Sequence, residues 1–461
     1  VRYTPEAAGD HRLRIVAHAA DGREAVAHES FKVTRGVTPY RFTNHHHYMI
    51  AWGPSSLAGV AASARRWSVD AVFLGSGQFY HCKAMVRRTS PALLAAVDSP
   101  LTRIFPGQEV HPHHPYGLDE GAANLDADVR HHGTTMGCHT ITPADWDYWD
   151  PSTLRKAHAR GGLVVVAHHQ RGDKWWLRKQ QGHCFDAVSF DHVEGAYWDN
   201  ILRKGLLPGI RGTDSGFGPL GNVASTVWMR EAFNLPNLLK ACINGRVTFV
   251  DLDTARLASK DSYIWFDINN ELVGGTLYAV DTIRLHLKID AHQPMQTIRL
   301  VKFGDKGYKT LRATGNRFEH WIEERAEDFT YYRVEAHADK RTGPDKGVNG
   351  FAAAVTNPIY VRRVNGPRGA YFYFDKDARI YLDRKAGRFL PKTARVIETG
   401  YRGGIWRIVV QEPDDRGRIA IGGVAVKGLA LDGGASRGAR NAQGEIVATY
   451  GRGRHTIELQ C

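Results

Sequence analysis

The sequence predicts an α/β chain: a β/α barrel of about seven units over residues 37–258, then β-sandwich domains at 259–365 and 366–461. Three observations lead there. Short apolar runs alternate with helix-like stretches through the first region, the pattern of βαβ units. Beyond 259 the apolar residues recur with period two, as in antiparallel strands with one buried face. The predicted barrel strands also end repeatedly in histidine or a carboxylate, and a β/α barrel gathers its chemistry at strand carboxyl ends.

Residues 1–36 read as the end of an N-terminal sandwich, or an arm: His11–His18 and His28–Val33 alternate around a turn at Ala20-Asp-Gly22. Two strands hold no core alone. The run Val37–Thr43 then opens the barrel and closes in Asn44-His45-His46-His47-Tyr48. A helical Leu57–Arg66 precedes the strand Val69–Leu74, and a helical Pro91–Val97 precedes Thr102–Phe105. Next come a strand Thr134–His139, a helix-like Pro151–Arg160 and the strands Gly162–Ala167 and Phe185–Phe190. A helical Trp198–Lys204 leads to Gly209–Gly212, and a last helix, Leu235–Asn244, stops at Gly245. Strands at Ser262–Ile268, Thr282–Ile289, Gln296–Lys302 and Tyr331–Ala336 form a sandwich ending at Thr356–Val361. Ala370–Phe374, Ile405–Val410 and His455–Leu459 supply the C-terminal β-rich domain.

The length suits two to four domains. Lysine and arginine exceed aspartate and glutamate by 61 − 48 = 13, spread along the chain and without a nucleic-acid motif, so no nucleic-acid partner is expected. No apolar run spans a membrane and no signal peptide stands at the start. The start, Val1-Arg-Tyr, lacks an initiator Met, which suggests a fragment or processed form. The appended β domains suggest an extracytoplasmic location, periplasmic or secreted. Five cysteines without a C-x-x-C pair exclude a disulfide framework and a thiolate zinc knuckle. No motif specifies an oligomeric state.

Histidine carries the chemistry. His45 and His47, two apart on a strand, share a face and can reach one cation at about 2.0–2.1 Å for zinc. Strand two runs into Gly75-Ser-Gly-Gln78 with His81 beyond it, and strand three into Pro-Gly-Gln-Glu109-Val-His111. Later strands run into Cys138-His139, Ala167-His168-His169, Asp191-His192-Val-Glu194 and Gly-Thr-Asp214. Each such group, buried without compensation, costs about 1–3 kcal/mol. A cation lets several be buried together. Trp146, Trp149, Trp175, Trp176, Tyr197 and Trp198, with Arg171, Lys174 and Arg178, surround the same predicted mouth. Aromatic platforms fringed by bases suit a sugar or aromatic ring, including an anionic one.

The arrangement resembles the PHP (polymerase and histidinol phosphatase) superfamily, in its carbaryl-hydrolase-like branch, over about residues 37–361. The likeness rests on His45/His47, Pro-Gly-Gln-Glu109, Val-Val-Ala-His168, Gly-Thr-Asp214, Leu238–Phe249 and Thr356–Val361. It implies a PHP-type distorted (β/α)7 barrel and one divalent ion, Zn or Mn with Fe as a further option. The implied ligands are His45, His47, Glu109, His139, His168 and Asp214, with His111 or His113 as alternatives to His139. Three positions depart from the family. Thr43-Asn44 stands where it has Asp-Leu, Gly75-Ser-Gly-Gln78 replaces Thr-Asp-His, and Ser215-Gly216 comes after Asp214 where the family continues to a histidine.

The implied activity is a metal-dependent hydrolase cleaving an ester, amide, carbamate or phosphoester in a ring-containing small molecule or glycan. Glu194, His192 or His81 are its candidate acid and base, with Trp175, Trp176, Arg171, Tyr197, Trp198 and Gln78 placing the substrate. Two other readings stand beside it. One is a non-catalytic glycan-binding descendant; the other is a sugar-active lyase or glycosidase using histidines and Tyr48 as acid and base.

Overall fold

The computed structural model describes residues 9–19, 21–22, 24–33, 37–46, 57–66, 69–74, 102–110, 133–137, 157–166, 185–189, 195–203, 205–210, 212–215, 223–251, 263–290, 295–303, 309–312, 315–338, 354–384 and 388–461. The expected N-terminal hairpin is there: Gly9–His18 pairs antiparallel with Glu24–Val33, from Gly9 opposite Val33 to His18 opposite Glu24.

Strand Thr38–His46 is the hub of the α/β region. It pairs in parallel with Ala71–Leu74 on one side. On the other its upper half pairs in parallel with Gly212–Ser215 and its lower half antiparallel with Val223–Met229. Ala71–Leu74 pairs in parallel with Arg103–Phe105. A second sheet orders Gly107–Val110, Gly133–Met136, Leu163–Val166, Ala187–Ser189 and Gly209–Ile210 side by side. Pro106 separates Arg103–Phe105 from Gly107–Val110, where its missing N–H interrupts the ladder.

The fourth strand corrects the expectation of an all-parallel set. Gly133–Met136 runs antiparallel to both Gly107–Val110 and Leu163–Val166. Its last residue, Met136, is fully buried in the same core as Leu238 and Leu239 of the helix Leu235–Ile243. Gly137 then turns with φ +86°, so close to Leu239 that a Cβ would stand 3.1 Å from Cδ1. Packing against that helix dictates which end of the strand comes last.

The alternation of side chains divides this region into two packed layers. Phe42, Phe73, Met136, Leu163, Val165, Ala187 and Ile210 form one core with the helix Leu235–Ile243. Phe73 meets Phe42 edge-on at 6.3 Å and Phe105 at 5.3 Å between ring centroids. Val164 and Val188 face the other way, onto Trp198 and Leu202 of the helix Gly195–Leu202. Each such side chain contributes about 1.5–3 kcal/mol by leaving water. The helix Leu235–Ile243 starts where predicted: Asn234 Oδ1 accepts the Asn237 amide at 2.9 Å, and Pro236 occupies its first turn.

Strand pairing continues out of this region without a break. Val223–Met229 pairs with Val247–Asp251, which pairs with Ala354–Thr356 and so joins the strands of the first sandwich. That sandwich closes over a core including Ile264, Leu285, Leu287, Ile298, Val334 and Ile359. Thr276–Ala279 then pairs with both Ile359–Arg363 and Tyr371–Phe374, carrying the sheet into a second sandwich. Its core holds Phe372, Trp406, Ile408, Ile419 and Ile457.

One side chain ties the three parts together. Arg246 is 3% exposed. Its Nη1 donates to Glu271 Oε1 at 2.8 Å and to the carbonyls of Leu272 and Val273, while Nε donates to Asp377 Oδ1 at 2.9 Å. Burial alone would depress this guanidinium; the two carboxylates outweigh it and hold its pKa above the usual range. The neighbouring Asn244 exchanges hydrogen bonds with Ala378, accepting its N–H at 3.0 Å and donating Nδ2 to its carbonyl at 2.8 Å. Gly245 and Gly274 cross backbone to backbone, so that a Cβ on Gly274 would lie 1.9 Å from the Asn244 carbonyl oxygen. Truncating Arg246 leaves two buried carboxylates unpaired, and Arg246→Ala is expected to lose about 3–5 kcal/mol in urea unfolding. A loss below about 1 kcal/mol contradicts the joint.

Candidate functional site

Strand register decides which predicted ligands share a face, because residues paired across neighbouring strands point the same way and successive residues alternate. Phe42 pairs with Ala71, which places Phe42 in phase with Phe73, in keeping with their ring contact. Thr43 pairs with Val72, but the next pair is His46 with Leu74. Three steps on one strand therefore match two on its neighbour. The extra residue at Asn44–His45 is a bulge, and it reverses the alternation. Beyond it position 45, rather than 46, is in phase with Phe42.

Asp214 is phased the same way. Gly212 stands opposite Asn44 and Ser215 opposite His46, so Thr213 and Asp214 together face the single position 45. Ser215 shares the face of 46, which leaves Asp214 on the face of 45. Adjacent strands lie about 4.8 Å apart, so positions 45 and 214 are direct neighbours.

Glu109 is phased through the second sheet. It pairs with Thr134, and Thr134 pairs with Val165, which is fully buried in the core of Phe42 and Phe73. Position 109 is thus on that core face too. Thr38–His46 comes within 8 Å, Cα to Cα, of both Gly107–Val110 and Gly133–Met136. The apolar side chains of this face fill its lower part. Positions 45, 109 and 214 stand at its carboxyl-end rim, beside the ends at His46, Leu74, Val110, Val166 and Ser215.

Three of the six expected ligand positions, 45, 109 and 214, fall by backbone register on strands that meet at one rim. The others, His47, His139 and His168, lie outside the described residues, as do Tyr48, Gln78, His81, Arg171, Trp175, Trp176, His192 and Glu194. Among the described residues no group of three His, Cys, Asp or Glu side chains could hold a metal ion. The strand that carries His45 has a buried acceptor to spare: Asn44 is 1% exposed, and its Oδ1 has no hydrogen-bond partner. Thr43 beside it is fully buried, its hydroxyl donating to the Asn44 carbonyl at 3.1 Å.

Tyr197 lies in the helix Gly195–Leu202. Trp198 corrects an expectation. It is 1% exposed, packed with Val164, Val188 and Leu202, and its indole N–H donates to the Leu207 carbonyl at 2.9 Å. Arg333 stacks over the ring at 5.0 Å while donating to Asp199 through Nε at 2.8 Å and Nη2 at 2.9 Å. No face remains for a substrate. The signal was in the sequence, since Ile201 and Leu202 stand at the i+3 and i+4 spacing of a buried helix face. Trp198→Ala is expected to cost about 3–5 kcal/mol of stability, read by urea unfolding. A variant of unchanged stability contradicts this core assignment.

No family model matches the chain, and no curated protein matches it. A search of solved structures finds a two-domain protein from Bacteroides vulgatus described as containing a predicted PHP-like metal-dependent phosphoesterase. It is 14% identical, over 68% of this chain and 94% of that one, at a TM-score of 0.36. Among the described residues no helix is long and apolar enough to cross a membrane.

Proposed function

We propose that the chain is a metal-dependent hydrolase of PHP type, with one divalent ion, Zn or Mn, at the rim marked by positions 45, 109 and 214. The observation that carries this reading is the common phase of those three positions. A single slipped register would turn any one of them away from the others. In this reading Arg103–Phe105 with Gly107–Val110 is one bent strand, and Gly209–Ile210 with Gly212–Ser215 another. The pairings then close in chain order into a ring of seven strands, the distorted barrel expected from the sequence.

His45, Glu109 and Asp214 hold the ion together with His47, His168 and His139, with His111 or His113 as alternatives to His139. A bound divalent ion supplies a water acidified from about 15.7 towards 7 and polarises the attacked carbonyl or phosphoryl oxygen. His192, Glu194 and His81 are the candidates for carrying the proton, and Trp175, Trp176 and Arg171 for orienting a ring-bearing ester, amide, carbamate or phosphoester. The carbaryl-hydrolase-like assignment is the finer form of the same proposal.

Elemental analysis of the purified chain tests it, with about one ion per chain expected. His45→Ala, Glu109→Ala, Asp214→Ala and His168→Ala are each expected to weaken metal retention at least about ten-fold. Aryl-ester, carbamate and p-nitrophenyl phosphate turnover should fall on chelation and return with the metal. Metal retained in all four variants contradicts the site.

A further inference from the structure

Far from this rim, a cavity of about 850 Å³ opens where Val37 and Arg230 meet both sandwiches. Val37 lies eight residues from His45 along an extended strand, about 26 Å away at 3.3 Å per residue. The volume is that of a small-molecule site.

Most of its charges, Arg416 apart, are matched within the protein. Asp375 takes Arg418 Nε at 2.9 Å and Arg230 Nε at 3.5 Å. Lys376 Nζ lies 3.1 Å from Asp414 and 3.4 Å from Glu412. Arg452 lies 3.1 Å from Asp415. Behind the wall Glu445 is saturated, accepting from Asn270, Tyr371, Tyr373 and Asn441 at 2.7–2.9 Å. An ionic ligand would have to break such pairs.

What remains open is a set of single hydrogen-bonding positions of both kinds. Tyr450, 7% exposed, lines the cavity with a buried hydroxyl that has no partner, and Arg230 Nη1 is a buried donor likewise without a hydrogen bond. Glu412 Oε2 is an unpartnered acceptor nearby. Gly417 has no side chain because the Tyr450 ring lies where one would go, a Cβ falling 2.0 Å from Cε2 and 2.7 Å from Glu412 Oε2. Gln443 adds an amide to the lining. Only a group that donates and accepts at once satisfies such a mixture, and tyrosine beside an amide and mostly neutralised charges suits a neutral polyol.

We infer that this cleft between the sandwiches and the amino end of strand Thr38–His46 is a carbohydrate-binding site, separate from the metal rim and not resting on it. Titration calorimetry of the full chain with cellotriose, maltotriose, xylotriose and N,N′-diacetylchitobiose tests it. At least one should bind with Kd below about 1 mM. Tyr450→Phe and Gln443→Ala should each weaken that binding about five-fold or more, with the thermal midpoint unchanged and with chelator present or absent. The inference is overturned if none of the four binds, if both variants bind as the parent does, or if inorganic phosphate binds there and the saccharides do not.

Discussion

A strand has two faces, and one inserted residue decides which of them each later side chain occupies. In Thr38–His46 that residue falls at Asn44–His45, between the pairs Thr43 with Val72 and His46 with Leu74. Without it Phe42, Asn44 and His46 would share the inner face. With it position 45 joins the phase of Phe42, Phe73 and Val165, position 214 follows through its pairing with the same strand, and position 109 is in that phase through its own neighbours. The proposed metal site depends on this count more than on any single contact. Bulges carry a local cost in lost pairing, and their usual place is beside a functional site, where they re-aim side chains.

The same strand has a different environment at its other end. There the chain has gathered charge rather than imidazole, and Arg246 is its anchor. Burying a guanidinium against Glu271 and Asp377 is not a strong source of net stability, because desolvation offsets much of the attraction. Its consequence is geometric. Burial pushes the Glu271 carboxyl upward against the pull of Arg246. Strand pairing from Val247–Asp251 to Ala354–Thr356 and this joint together fix the sandwiches against the strand that holds position 45. The carbohydrate cleft lies in the corner so formed.

Much of this is legible in the sequence, and the failures have physical reasons. Leu57–Arg66 and the helix from Leu235 show clear boundaries and form where periodicity places them. The direction of Gly133–Met136 is hidden: Gly-Thr-Thr-Met is too short and too ambiguous in polarity to reveal its neighbours' orientation. Arg246 looks like a helix-terminal base because its partners stand 25 and 131 residues away. Trp198 sits among other tryptophans of the predicted mouth, though its helical spacing points inward.

Cross-linking tests the central claim most directly. The double variant His45→Cys/Asp214→Cys places two thiols on one face of adjacent strands, within the span of about 4.4–6.8 Å between Cα atoms that a disulfide bridges. His46→Cys/Asp214→Cys places them on opposite faces. Under mild oxidation, peptide mass mapping should find the 45–214 disulfide and no 46–214 disulfide. The reverse result, bridging from 46 and none from 45, would remove the bulge and with it the shared face of the proposed ligands.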